Sequence, residues 1–126
     1  MSLDYRIGTT VGNMVTLASL GIDDPQPVPV QYAEHVPVGD GSLAGLGWLQ
    51  CEWSFDWIHK NDVTTLRAYC PEPAVSASVY IKTVKSGGGM QVYSGTLWWP
   101  RTEPPLQGDY FEDFTLVFVK LVAAGT

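Results

Sequence analysis

The stretch that decides the fold is Trp48–Cys70, WLQCEWSFDWIHKNDVTTLRAYC. From Leu49 to Trp57 apolar and polar residues alternate strictly: Leu49, Cys51, Trp53, Phe55 and Trp57 fall on one face, Gln50, Glu52, Ser54 and Asp56 on the other. A period of two is that of a strand with one buried face. Beyond Trp57 the period lengthens. Asn61 or Asp62 suits an N-cap, Val63, Leu66 and Cys70 are spaced as one apolar stripe, and Pro71 stops the run, which predicts a helix of about two to three turns. Three large aromatics on one strand face need a cover. A helix joined to the strand by almost no loop supplies one only by folding back onto the same core, so Trp53, Phe55 and Leu66 are expected together there.

On the N-terminal side, residues 1–24 carry apolar side chains from Ile7 to Ile22 without a clean period, and Gly8, Gly12 and Gly21 weaken any helix. They read as an irregular arm with one short strand near Asn13 to Ala18, ordering against something else. Pro25, Pro27, Pro29 and Pro37 exclude a helix and a central strand, which leaves Val30 to Val36 as an edge strand. Gly39, Gly41, Gly45 and Gly47 then mark an exposed loop, 34–47, that carries Leu43 and Leu46. It is not a phosphate cradle, because no Lys-Ser/Thr follows and the next element is a strand where a helix would be needed.

On the C-terminal side, Val75, Ala77, Val79, Ile81 and Thr83 alternate with Ser76, Ser78, Tyr80 and Lys82, SGGG turns the chain, and MQVYSGTLWWP returns to Pro100. The pair is a long antiparallel hairpin. On its return strand one of Trp98 and Trp99 faces the core and the other faces outward. The last element, YFEDFTLVFVKLV, is apolar on both faces from Phe114 to Val122, the texture of a central strand covered on both sides or by a partner subunit. The sum is an all-β domain with one short α-helix, expected as two packed antiparallel sheets in a β-sandwich or barrel, with one domain over 1–126.

The composition excludes several functions. A net charge of -6 with scattered basic residues lacks the Lys/Arg clustering that binds phosphates. No run approaches the roughly 20 apolar residues of a membrane span, so a soluble, unprocessed chain is expected. The two cysteines, Cys51 and Cys70, occupy apolar positions and read as reduced core thiols. His35 and His59 lack metal-ligand spacing, the adjacent acidic pairs Asp23-Asp24 and Glu112-Asp113 point to opposite faces, and no nucleophile sits in an activating context. No catalytic residue, metal ligand or cofactor is expected.

With strand WSFDW, helix DVTTLRAYC, hairpin VSASVYIKTVKSGGGMQVYSGTLWWP and terminal strand FTLVFVKLV in that order, the chain from Gly45 to Val122 resembles the tail tube and tail-ring proteins of long-tailed bacteriophages. The resemblance implies a structural virion protein of the tail, assembled in the host bacterial cytoplasm. Its copies form a ring, hexameric by that resemblance, that conducts genomic DNA without binding it specifically. Its partners are further copies of itself, in the ring and between stacked rings, and neighbouring tail proteins. The arm 1–24 and the loop 34–47 would mediate stacking. Polar strand faces are the lumen candidates: Gln50, Glu52, Ser54 and Asp56 on one strand, Ser76, Ser78, Lys82, Gln91 and Ser94 on the hairpin. Leu43, Leu46, Trp98, Trp99 and Phe118 are the candidates for subunit contact. Two other readings stay open, a capsid decoration or cement protein and a carbohydrate-binding sandwich that stacks sugar on Trp98 or Trp99.

Overall fold

The computed structural model describes residues 4–22, 24–26, 29–37, 43–71, 74–85, 87–100 and 103–124, with the backbone alone described for 33–37 and 43–47. Its strands are β1 (Arg6–Gly8), β2 (Val15–Thr16), β3 (Gln31–Pro37), β4 (Leu43–His59), β5 (Ser76–Val84), β6 (Met90–Trp98), β7 (Leu106–Gln107) and β8 (Tyr110–Ala123), with helix α1 (Lys60–Arg67) between β4 and β5. The fold is all-β with one short helix. The strands form one continuous antiparallel sheet in the order β2, β1, β5, β6, β8, β4, β3, with β7 attached to β8. The expected two sheets are therefore one, folded over on itself. Strands β4 and β5 share no ladder, yet their inner faces meet where Trp53 Nε1 donates to Thr83 Oγ1 at 3.1 Å and Tyr5 packs edge-on to Trp53.

Prolines explain how the fold-over closes. The segment before β3 lies between the free sides of β4 and β5, and Pro25 and Pro29 have no N–H to give. The residues after them donate: Gln26 N to Ser54 O and Val30 N to Val84 O, both at 3.0 Å. This strap links β4 to β5, and β3 then runs along the edge of the sheet, as the prolines predicted.

Trp53, Phe55, Leu66, Val79 and Ile81 share one core cluster, the set expected from the strand, helix and hairpin faces. The helix buries Val63 and Leu66, with Cys70 fully buried past its end. Its N-cap is His59 rather than Asn61 or Asp62, because the imidazole Nδ1 accepts from Asn61 N at 3.1 Å and lets the helix start one residue after the strand. The expected arm is described over residues 4–22, and there Tyr5, Ile7, Leu17 and Ile22 belong to the chain's own core while β1 pairs with β5. Val75, expected inside, is 63% exposed just before β5.

The two-sided apolar texture of the last strand has a local cause. Between Phe118 and Leu121, β8 carries one residue more than both neighbours: Leu49 pairs with Leu121 but Cys51 with Phe118, and Ser94 with Val122 but Thr96 with Val119. Lys120 takes up the excess at φ 55°. Such a bulge exchanges the faces, so Phe114, Leu116 and Phe118 are buried before it and Leu121 after it, with Val119 buried at the junction. Most of the strand's apolar surface is covered within the chain, and a partner is not needed to explain it. A second left-handed residue, Asp113 at φ 55°, stands where the ladder skips the 56/113 pair, and beyond it Trp57 is 55% exposed while Ile58 is buried. The alternation of β4 thus holds from Cys51 to Phe55 and ends before Trp57, correcting the inner-face assignment of that tryptophan.

Candidate functional site

Strand β4 positions most of the surface features, because it is 17 residues long and only part of it lies in the body of the sheet. Pairing with β8 runs from Leu49 to His59, whereas Leu43 to Leu46 pair with β3 alone. The glycine-rich stretch expected as loop is strand from Leu43 onward; residues 38–42 lie outside the described residues, as do the side chains of Leu43 and Leu46. The result is a two-stranded ribbon projecting from the sheet by about 20 Å at strand rise. At its root Trp48 is 39% exposed with the Lys120 ammonium 5.7 Å from its ring, and Tyr32 and Val122 are also exposed.

The lumen candidates fall on two walls. Gln50, Glu52 and Ser54 lie on the outer face of β4, where Ser54 Oγ is 3.3 Å from Thr115 Oγ1 of β8. Ser76, Ser78 and Lys82 lie on the outer face of β5, where Lys82 Nζ donates to Asp4 at 2.8 Å. Glu52, Val117, Trp98 and Ser76 follow one another across the β4, β8, β6 and β5 ladders, so the two sets occupy the outer face of one folded-over sheet, with β8 and β6 between them. Gln91 pairs with Thr83 and so lies on the opposite face from Lys82, which removes it from the second set. Outward residues on the β4 and β8 wall include Glu52, Glu112 and Asp113 and no Lys or Arg from 50 to 57 or 110 to 117. The β5 wall carries Lys82, and Lys85 follows at its hairpin tip. Asp56 is drawn aside, with its Oδ1 accepting from Gln26 Nε2 at 3.1 Å.

Of the subunit-contact candidates, Trp98 is 45% exposed beside a cleft of about 570 Å³ formed with Val75, Pro100 and Val117. Trp99 and Phe118 are not available for contact. Trp99 is 6% exposed, sandwiched by Phe114 and the Arg67 guanidinium and tied through Nε1 to Glu103 at 2.9 Å. Phe118 is fully buried against Trp53.

No group of three or more His, Cys, Asp or Glu side chains that could hold a metal ion occurs among the described residues, and no described helix is long and apolar enough to cross a membrane. Cys51 and Cys70 are free and buried. Burial, partly offset by the Thr83 hydroxyl and reinforced by Glu52, pushes the Cys51 thiol up to about 12. A thiol-directed reagent at neutral pH is therefore expected to leave the native protein unlabelled and to label both cysteines once denaturant unfolds it. Labelling of Cys51 in the native state would contradict its burial. The sign of the linkage follows: the unfolded thiol ionises near 9 and the folded one resists, so stability is full below about 9 and declines as pH rises from there toward 12. At the other end, hydrogen bonds from Arg6 and Lys82 hold the Asp4 carboxyl below its ordinary value, fastening β1 to β5 above the usual carboxylate range.

Comparison with protein-family models, with curated proteins and with solved structures finds no match to this chain.

Proposed function

We propose that the chain is a structural, non-catalytic ring subunit of a bacteriophage tail tube or tail end, forming a closed conduit of identical copies, hexameric by its resemblance, for genomic DNA. The observation that carries this reading is the ribbon of β3 and the first turns of β4's length beyond β8. A two-stranded ribbon is marginal in water unless something packs on it, and β3 presents the unpaired backbone of a seven-residue edge along it. Further copies of the same chain supply that cover in a closed ring or between stacked rings. Of the two outer walls, the one formed by β4 and β8 is the better lumen, since its carboxylates repel phosphates and Lys120, at its ribbon end, lies against the Trp48 ring. Neighbouring tail proteins would meet the ring at its two ends. The exposed Trp98 beside its cleft favours the carbohydrate-binding reading as the second choice.

Electron microscopy of the purified protein over a wide concentration range tests the reading, alongside a variant in which 33–47 is replaced by a short glycine turn. Rings or tubes are expected from the wild type, and none from the ribbon variant although its thermal stability is retained. A structure of the assembled particle in which copies make no contact through the ribbon would overturn the proposal.

A further inference from the structure

The junction of β4 and α1 turns on one imidazole. His59 is at once the last residue of β4 and the N-cap of α1, and its Nδ1 lies 3.1 Å from Asn61 N. An amide N–H can only donate, so Nδ1 carries the lone pair and the ring proton sits on Nε2. The usual caps, Ser, Thr, Asn and Asp, keep their acceptor oxygen throughout the neutral range. An imidazole does not. We infer that His59 makes α1 a proton-sensitive element, whose first turn is capped while the ring is neutral and loosens when the ring is protonated.

Proton and cap compete for the same lone pair. A proton from solvent that settles on Nδ1 turns the acceptor into a donor facing the Asn61 N–H, and the positive ring then stands at the positive end of the helix dipole. Asn61 is exposed, so its N–H passes to water; what is lost is the tie that starts the helix without a connecting loop. The capped form binds one proton fewer than the loosened form, so falling pH favours loosening, through the range around 6.5 where an imidazole in solution takes its proton. The charged and titratable groups about the ring, among the described residues, are Lys60 and Asp62 on α1, Asp109 before β8, and Tyr110 and Glu112 on β8. Lys60 Nζ and Asp109 Oδ1 are paired at 3.2 Å, and Lys60 N donates to Asp109 O at 2.8 Å. Asp62 and Glu112 attract the imidazolium once it forms, which helps the proton against the cap. Tyr110 packs at right angles to the imidazole, with ring centroids 5.1 Å apart, and keeps it at the helix start. Val63 is buried from the turn that loosens, so protonation opens this end of the core whether or not the chain forms rings.

The test uses the full chain labelled with nitrogen-15. A long-range proton-nitrogen spectrum at about pH 8 is expected to show His59 as the Nε2–H tautomer. On lowering the pH to about 5.5, hydrogen-exchange protection of the Asn61, Val63 and Thr64 amides, corrected for the intrinsic rate, should fall by about five-fold, the equilibrium factor of one lost cap. The fall should follow the titration of the His59 ring in the same samples. His59→Asn supplies a cap that does not titrate and should abolish the fall, whereas His35→Gln, which removes the chain's other histidine, should leave it as in the wild type. The Nδ1–H tautomer at about pH 8, constant protection in the wild type, or a fall that does not track the His59 ring would overturn the inference. So would an equal fall in His59→Asn, or its loss in His35→Gln, which would assign it to the other imidazole.

Discussion

Phe118→Ala is expected to lower the unfolding free energy by about 3–5 kcal/mol, the range for deleting a buried aromatic ring. Phe118 is fully buried, its ring centroid lies 4.7 Å from that of Trp53 at 61°, and it stands between Cys51 of β4 and Leu97 of β6 in the ladder. All of these neighbours face the same core, so the cavity left by alanine cannot drain to solvent. Against a total stability of about 5–15 kcal/mol for an ordinary domain, the loss would bring the chain close to unfolding. Urea denaturation followed by tryptophan fluorescence measures it. Wild-type stability in this variant would place Phe118 outside the core and return it to the surface as a subunit contact.

Gly95→Ala is expected to cost about 1–3 kcal/mol for a single added methyl group, as overpacking does. Gly95 is the residue of β6 that faces the bulge, between the pairs Ser94 with Val122 and Thr96 with Val119. A Cβ there would stand 2.5 Å from Leu121 Cδ2 and 2.9 Å from Val119 O. The leucine tip can rotate; the carbonyl oxygen belongs to the bulged backbone and cannot move without disturbing both neighbouring ladders. Thermal unfolding of the variant is the check, and an unchanged midpoint would mean that the bulge shifts freely.

Where residues obey a period, the sequence was readable. Cys51 to Phe55, the stripe of Val63 and Leu66, and the hairpin from Ser76 to Trp98 each lie as their spacing predicted. What escaped was set by single backbone residues or by distant pairing. Lys120 adopts a left-handed conformation that lysine does not advertise, so β8 looked two-sided and Phe118 looked like a contact residue. Asp113 gave a faint signal, because aspartate tolerates that conformation better than most residues, and the exposure of Trp57 hangs on it. The pairing of Ile7 with Ile81 spans most of the chain, and no local pattern in the first 24 residues announces it. For the candidate site, the polar faces of β4 and β5 were legible as faces, but that they share one outer surface with β8 and β6 between them depends on distant pairing.

The strap also fixes an order of events in folding. Gln26 needs Ser54 and Val30 needs Val84 before either can bond, and β1 has no ladder partner until β5 exists. During synthesis the first thirty or so residues therefore wait, with Tyr5, Ile7, Leu17 and Ile22 uncovered, until the hairpin of β5 and β6 has emerged from the ribosome. Contacts of such long sequence separation place the chain among slower folders, and its apolar N-terminal segment is the part most open to aggregation or to a chaperone while it waits.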